Sequence, residues 1–165
     1  MANKHVRAMA GKLVTRLPEL PQPWDVEELC QSLGRARGRA LKLHSADLPA
    51  LPFGMWYDDG ATDHIIIRSS ATGYYRDHIV LHEICHMLAG HGTALQEVLS
   101  GPASGSGSGS GTDGRRAKGK SCSDAEEELA ETFASLVLKI AGQMRPKGIS
   151  AVERQAESLL GAGRA

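Results

Sequence analysis

The chain has 165 residues, 41% hydrophobic and 23% charged, the size and balance of one soluble domain around one core and too little for a two-domain enzyme. Aromatic residues make up only 4%, which leaves few rings for stacking bases or sugars, and 19 Lys and Arg against 19 Asp and Glu give a formal net charge of +0, with no global field to steer a polyanion. The three cysteines, Cys30, Cys85 and Cys122, are odd in number and widely spaced, which argues against a secreted disulfide scaffold and for a reducing, cytoplasmic setting.

The first 20 residues mix apolar with basic positions and lack a signal-peptide core, and no window approaches the roughly 18 apolar residues of a membrane span. Within residues 3–17, Val6, Met9, Ala10, Leu13 and Val14 recur at helical steps until Pro18, Pro21 and Pro23 stop them. Asp25 with Glu28 three residues on reads as a capping box for a short helix striped by Val26, Leu29, Cys30 and Leu33, with Gly34 as its stop. Three strand-like runs follow at 40–43, 53–57 and 64–68, the last two separated by the turn residues Asp58, Asp59 and Gly60; together they predict a small antiparallel sheet.

Residues 75–89 return to helix. Ile79, Val80, Leu81, Ile84, Met87 and Leu88 leave it almost no solvated face, so it should be central. From 101 to 120 the composition collapses to small and basic residues, and 104–111 is a strict Ser-Gly alternation. That segment is a flexible linker inside the domain, with the regularity of a designed loop replacement. Ser123 and Glu126 then form a capping box opening a helix to about Ala141, and Ser150 with Glu153 opens a last one. The expected fold is α+β, a small antiparallel sheet packed with about five helices.

The central helix carries His82, Glu83, Ile84, Cys85 and His86, an H-E-x-x-H string. Residues four apart share a helix face, so both imidazoles can address one metal ion, and Glu83 projects beside them where it can take a proton from a metal-activated water. The chemistry this predicts is one Zn2+ per chain with Glu83 as catalytic base. Two buried histidines and a glutamate on an apolar helix would be costly without a cation.

A catalytic zinc usually takes three protein ligands. His91 and Gly90 each miss the metzincin spacing by one residue, which leaves the carboxylates at the start of the post-linker helix. Glu128 shares its face with Thr132, Ser135 and Lys139, the solvated side, and Glu126 is taken by the capping box. Glu127 aligns with Ala130, Ala134, Val137 and Ala141 on the inner face, so His82, His86 and Glu127 form the expected ligand set, with Glu131 one turn on holding a ligand histidine from behind. Cys85 points away from the ligand face and reads as a small core residue, whereas Cys122 adjoins the site as a loop cysteine or a thiolate able to occupy the metal.

The segments WDVEELCQSLG from Trp24, HIVLHEICHMLAGH from His78 and EELAETFASLVL from Glu127 resemble the ImmA/IrrE family of cytoplasmic metallo-endopeptidases, gluzincin-like in their ligands. The specific parts are the HEICH string and the E-x-x-A-x-x-F-A pattern of Glu127, Ala130, Phe133 and Ala134. The resemblance implies a compact zincin-like domain, with the first glutamate of that pattern as third ligand and a helix-turn-helix transcriptional repressor as the cleaved partner. Departures are Glu131 where the family often has Asn, Cys85 where a small residue is common, and Leu136, Val137 and Leu138 in place of a Leu-Met-Pro ending. An oxyanion donor is also expected, and Tyr74, Tyr75, His78 and His91 are the candidates.

Two basic clusters, around Arg35 to Lys42 and Arg115 to Lys120, lack aromatic interleaving and read as solvated faces, so direct nucleic-acid binding is not expected. The competing reading is a toxin or regulator component that acts by binding a protein, its metal structural or latent.

Overall fold

A computed structural model describes residues 3–47, 54–91 and 122–143, and the architecture over these residues is α+β with four helices and a three-stranded sheet. Helix α1 (Lys4–Val14) starts at Asn3, whose side chain accepts the His5 N–H, and buries Ala10. Helix α2 (Val26–Arg37) starts at Asp25, whose Oδ1 accepts the backbone N–H groups of Glu27 and Glu28 at 2.8 and 3.1 Å.

Helix α2 does not stop at Gly34, as its sequence suggests, but runs to Gly38, which caps it at φ 64. Gly34 is instead a contact residue. A Cβ there would stand 3.1 Å from both Arg39 O and Leu41 N, so the missing side chain lets the helix lie directly on the chain entering the first strand.

The strands are β1 (Leu41–Ala46), β2 (Gly54–Asp58) and β3 (Asp63–Arg68), in spatial order β1-β3-β2. The expected antiparallel sheet is in fact mixed. The turn after β2, in which Asp59 Oδ1 accepts the N–H groups of Ala61 and Thr62, folds β3 back antiparallel to β2, while β1 pairs with the other edge of β3 in parallel. In β3 the buried Asp63, Ile65 and Ile67 alternate with half-buried His64, Ile66 and Arg68, so one face of the sheet is covered.

What covers it is α3 (Gly73–Ala89), which packs on β2 and β3 and is clamped from the other side by α4 (Asp124–Gln143). The core gathers Ile65, Ile67, Val80, Leu81, Ile84, Phe133 and Val137, with α1 laid on α4 and α2 on β1. Cys30 and Cys85 are buried in it as thiols, both pushed up to about 12 by burial. The expected linker at 101–120 and last helix from Ser150 lie outside the described residues. Among those residues no helix is long and apolar enough to cross a membrane.

One charge is deeply buried where the layers meet. Asp63, 1% exposed, takes Arg37 Nη1 at 2.5 Å and Arg39 Nε at 3.1 Å, and its Oδ1 accepts the Trp56 indole N–H at 3.2 Å. Arg37 Nη1 also lies 3.0 Å from Met87 Sδ, tying the end of α2 to α3. Removing the carboxylate leaves Arg37 without its carboxylate partner and Arg39 with Asp58 alone, so Asp63→Ala is expected to lose about 3 kcal/mol in urea unfolding. A loss below ~1 kcal/mol would mean that water already carries those arginines.

Candidate metal centre

Helix α3 presents His82 and His86 one turn apart, and α4, packed against it, presents Glu127 and Glu131 with the same spacing. The two ladders interlock. His82 Nε2 lies 3.2 Å from Glu127 Oε2, His86 Nε2 lies 3.5 Å from Glu127 Oε1, and the two Nε2 atoms are 3.0 Å apart. These three residues form a potential metal-binding triad, with one ligand atom from each lying within 4.8 Å of the others.

The tautomers follow from the partners. His82 Nδ1 is 3.0 Å from Glu131 Oε1, the geometry of an Nδ1–H donated to the carboxylate, and the neutral tautomer with that proton has its lone pair on Nε2. His86 Nε2 and the Glu127 carboxylate face it, so among the described residues three potential ligand groups converge on one region. Donors about 2.0–2.2 Å from a small tetrahedral ion stand about 3.3 Å from one another, and the 3.0 Å between the two Nε2 atoms is near that value, while Glu127 meets the two histidines through different oxygens. Burial chiefly, with the neighbouring His82 acting in the same direction, pushes His86 down to about 4, so its ring is neutral and ready to ligate near pH 7.

The helix-start chemistry sorts the four glutamates. The Ser123 N–H donates to Glu126 Oε2 at 2.6 Å, and the Glu126 N–H to Ser123 Oγ at 3.3 Å, a closed capping box. Glu128 is exposed on the outer face. Glu127 points in at His82 and His86 with its side chain still 49% exposed, so the triad opens to solvent on that side.

Glu83 lies between the cluster and the sheet, close enough to feel the charge of Glu127. It is 8% exposed and accepts the backbone N–H of Trp56 on β2. Burial pushes its carboxyl up to about 7, opposed by that N–H and reinforced by the charge of Glu127. The close approach depends on Gly54, where a Cβ would meet Ile79 Cγ2 at 2.6 Å and Glu83 Oε1 at 3.1 Å. Sequence reasoning missed this cradle, because a backbone donor has no side-chain identity; a glycine opening an otherwise apolar strand was the one available signal.

The expected oxyanion donors lie in different places. His78 Nε2 is 2.9 Å from Glu131 Oε2, so Glu131 spans His78 and His82. His91 packs behind His86, its Nδ1 3.3 Å from His86 Nδ1. Tyr74 and Tyr75 are exposed in the first turn of α3. Cys122 Sγ is 3.6 Å from His86 Nδ1 and 3.8 Å from His91 O, and burial with the nearby Glu127 and Glu126 charges pushes the thiol up to about 11. No family model matches this chain, and no curated protein or solved structure matches it.

Proposed function

We propose that the protein is a zinc metallo-endopeptidase of regulatory type with a zincin-like arrangement, acting in the cytoplasm on a partner protein such as a helix-turn-helix repressor. The observation that carries the reading is the convergence of His82, His86 and Glu127 at metal-ligand spacing, with the H-E-x-x-H glutamate buried beside them. Three protein ligands with one side open to solvent is the arrangement of a catalytic rather than a structural zinc. The resemblance to the ImmA/IrrE family, carried by the HEICH string and the Glu127, Ala130, Phe133, Ala134 pattern, supplies the substrate class.

Zinc held by these residues would polarise the peptide carbonyl and lower the pKa of water. Glu83 takes a proton from the attacking water at its carboxylate and returns it to the amine nitrogen of the leaving peptide as the C–N bond breaks. Its burial suits both halves of that task, because a carboxyl near neutrality gives up and takes a proton with similar ease. Glu131 orients His82 by accepting its Nδ1–H.

One observation favours a second reading. His82 lies between Glu131 and Glu127 at 3.0 and 3.2 Å, and a proton on both of its nitrogens would satisfy the cluster with no metal, leaving a protein that acts by binding a partner. Cleavage separates the two. Zinc-loaded protein incubated with a panel of helix-turn-helix repressors should yield defined fragments by mass spectrometry, and Glu83→Gln should yield none; equal processing by both would overturn the assignment of Glu83.

A further inference from the structure

We infer that His91 is a positioning residue that accepts the Nδ1–H of His86 and so fixes His86 with its Nε2 lone pair toward the proposed metal. The inference rests on the metal reading above and adds to it the support of the second histidine ligand. It begins at the helix end: Gly90, at φ 74, caps α3 in the left-handed conformation, and the His91 N–H donates to His86 O at 2.9 Å. That reversal swings the His91 side chain back along the last turn, ring centroids 5.5 Å apart and planes at 60°, until the two Nδ1 atoms are 3.3 Å from each other.

Two facing ring nitrogens need one proton between them, and the surroundings say which ring supplies it. His91 Nε2 faces Glu126 Oε1 at 3.7 Å, too far for a hydrogen bond but close enough that the carboxylate's charge favours a proton over a lone pair on that nitrogen. His91 is then protonated on Nε2 and accepts at Nδ1, and His86 donates from Nδ1. The opposite arrangement turns a lone pair of His91 toward a carboxylate and puts a proton on His86 Nε2, where a ligand needs none. Cys122 Sγ, 3.6 Å from His86 Nδ1, is a far weaker acceptor than an imidazole nitrogen.

The two ligand histidines are therefore backed differently. Glu131, with its side chain 59% exposed, holds His82 through a charge, whereas His91, 15% exposed, holds the more buried His86 through a neutral ring. A carboxylate in the place of His91 would add a negative charge beside the Glu127 and Glu126 carboxylates. A neutral acceptor serves the same purpose without that repulsion.

The test compares His91→Phe, which keeps a ring and loses the acceptor, with His91→Asn, whose Oδ1 can stand where Nδ1 stood. Zinc affinity is read by competition with a chromophoric chelator, and the His86 tautomer by 15N NMR of the imidazoles in metal-free protein. The expected result is a 10- to 100-fold weaker site in His91→Phe with loss of the Nδ1–H signature of His86, and substantial recovery of both in His91→Asn. Wild-type affinity in His91→Phe, or an Asn variant as weak as Phe, would overturn the role of His91 while leaving the metal reading in place. A wild-type protein that binds no zinc would overturn both, so the two failures are distinguishable.

Discussion

Replacing Glu83 with Gln is expected to cost at least ~10²–10⁴-fold in peptide hydrolysis, to leave zinc binding intact, and to make the chelator-treated protein more stable than wild type at pH 8. The three effects share one cause. Glu83 sits 8% exposed against β2, where the Trp56 N–H is its backbone donor and burial raises its carboxyl from 4.5 to about 7. A carboxyl raised on folding holds its proton more tightly in the folded state than in the unfolded one. The stability carried by the neutral form is complete below pH 4.5 and is lost as pH rises through about 7.

Gln keeps an acceptor for Trp56 and never ionises, so it escapes that loss, on the order of 1–3 kcal/mol at pH 8. Urea unfolding of both proteins at pH 5 and pH 8 in chelator reads it directly. A Gln variant no more stable at pH 8 would mean that the carboxyl is solvated. Because damage to the fold would lower stability and activity together, a variant that gains one and loses the other ties Glu83 to chemistry.

Zinc itself should stabilise the fold strongly. A metal here would be bound by His82, His86 and Glu127 together, and Glu126 and Glu131 add negative charge on the helix that carries Glu127. A metal that binds only the folded state contributes about 4 kcal/mol when its free concentration is 1,000 times its Kd. Thermal unfolding with and without added zinc measures this, and the shift should shrink markedly in Glu127→Ala, which leaves two ligands. An equal shift in that variant would place the metal elsewhere.

Much of the site could be read from spacing because both of its halves are helical. The four-residue steps from His82 to His86 and from Glu127 to Glu131 fix shared faces without any knowledge of the fold, and the Ser123–Glu126 box identifies which glutamate is occupied locally. What spacing could not supply was long-range. Gly34 looks like a helix stop, yet its role depends on Arg39 and Leu41, which approach only after the chain turns. The Ile65, Ile66, Ile67 run announces a buried strand but says nothing of direction, and the parallel pairing of β1 with the edge of β3 that β2 leaves open is a long-range contact. The cradle of Glu83 is a backbone N–H, and the contact between His91 and His86 needs the left-handed turn at Gly90 to bring the rings together.

The most direct test of the central claim is the metal content of the purified protein by elemental mass spectrometry, with Glu127→Ala in parallel. The account predicts about one zinc per chain in the wild type, lost or much weakened in the variant. No metal in the wild type, even after zinc is added back, would contradict it: His82, Glu127 and Glu131 would then be a metal-free polar cluster, and the protein a binding partner rather than a peptidase.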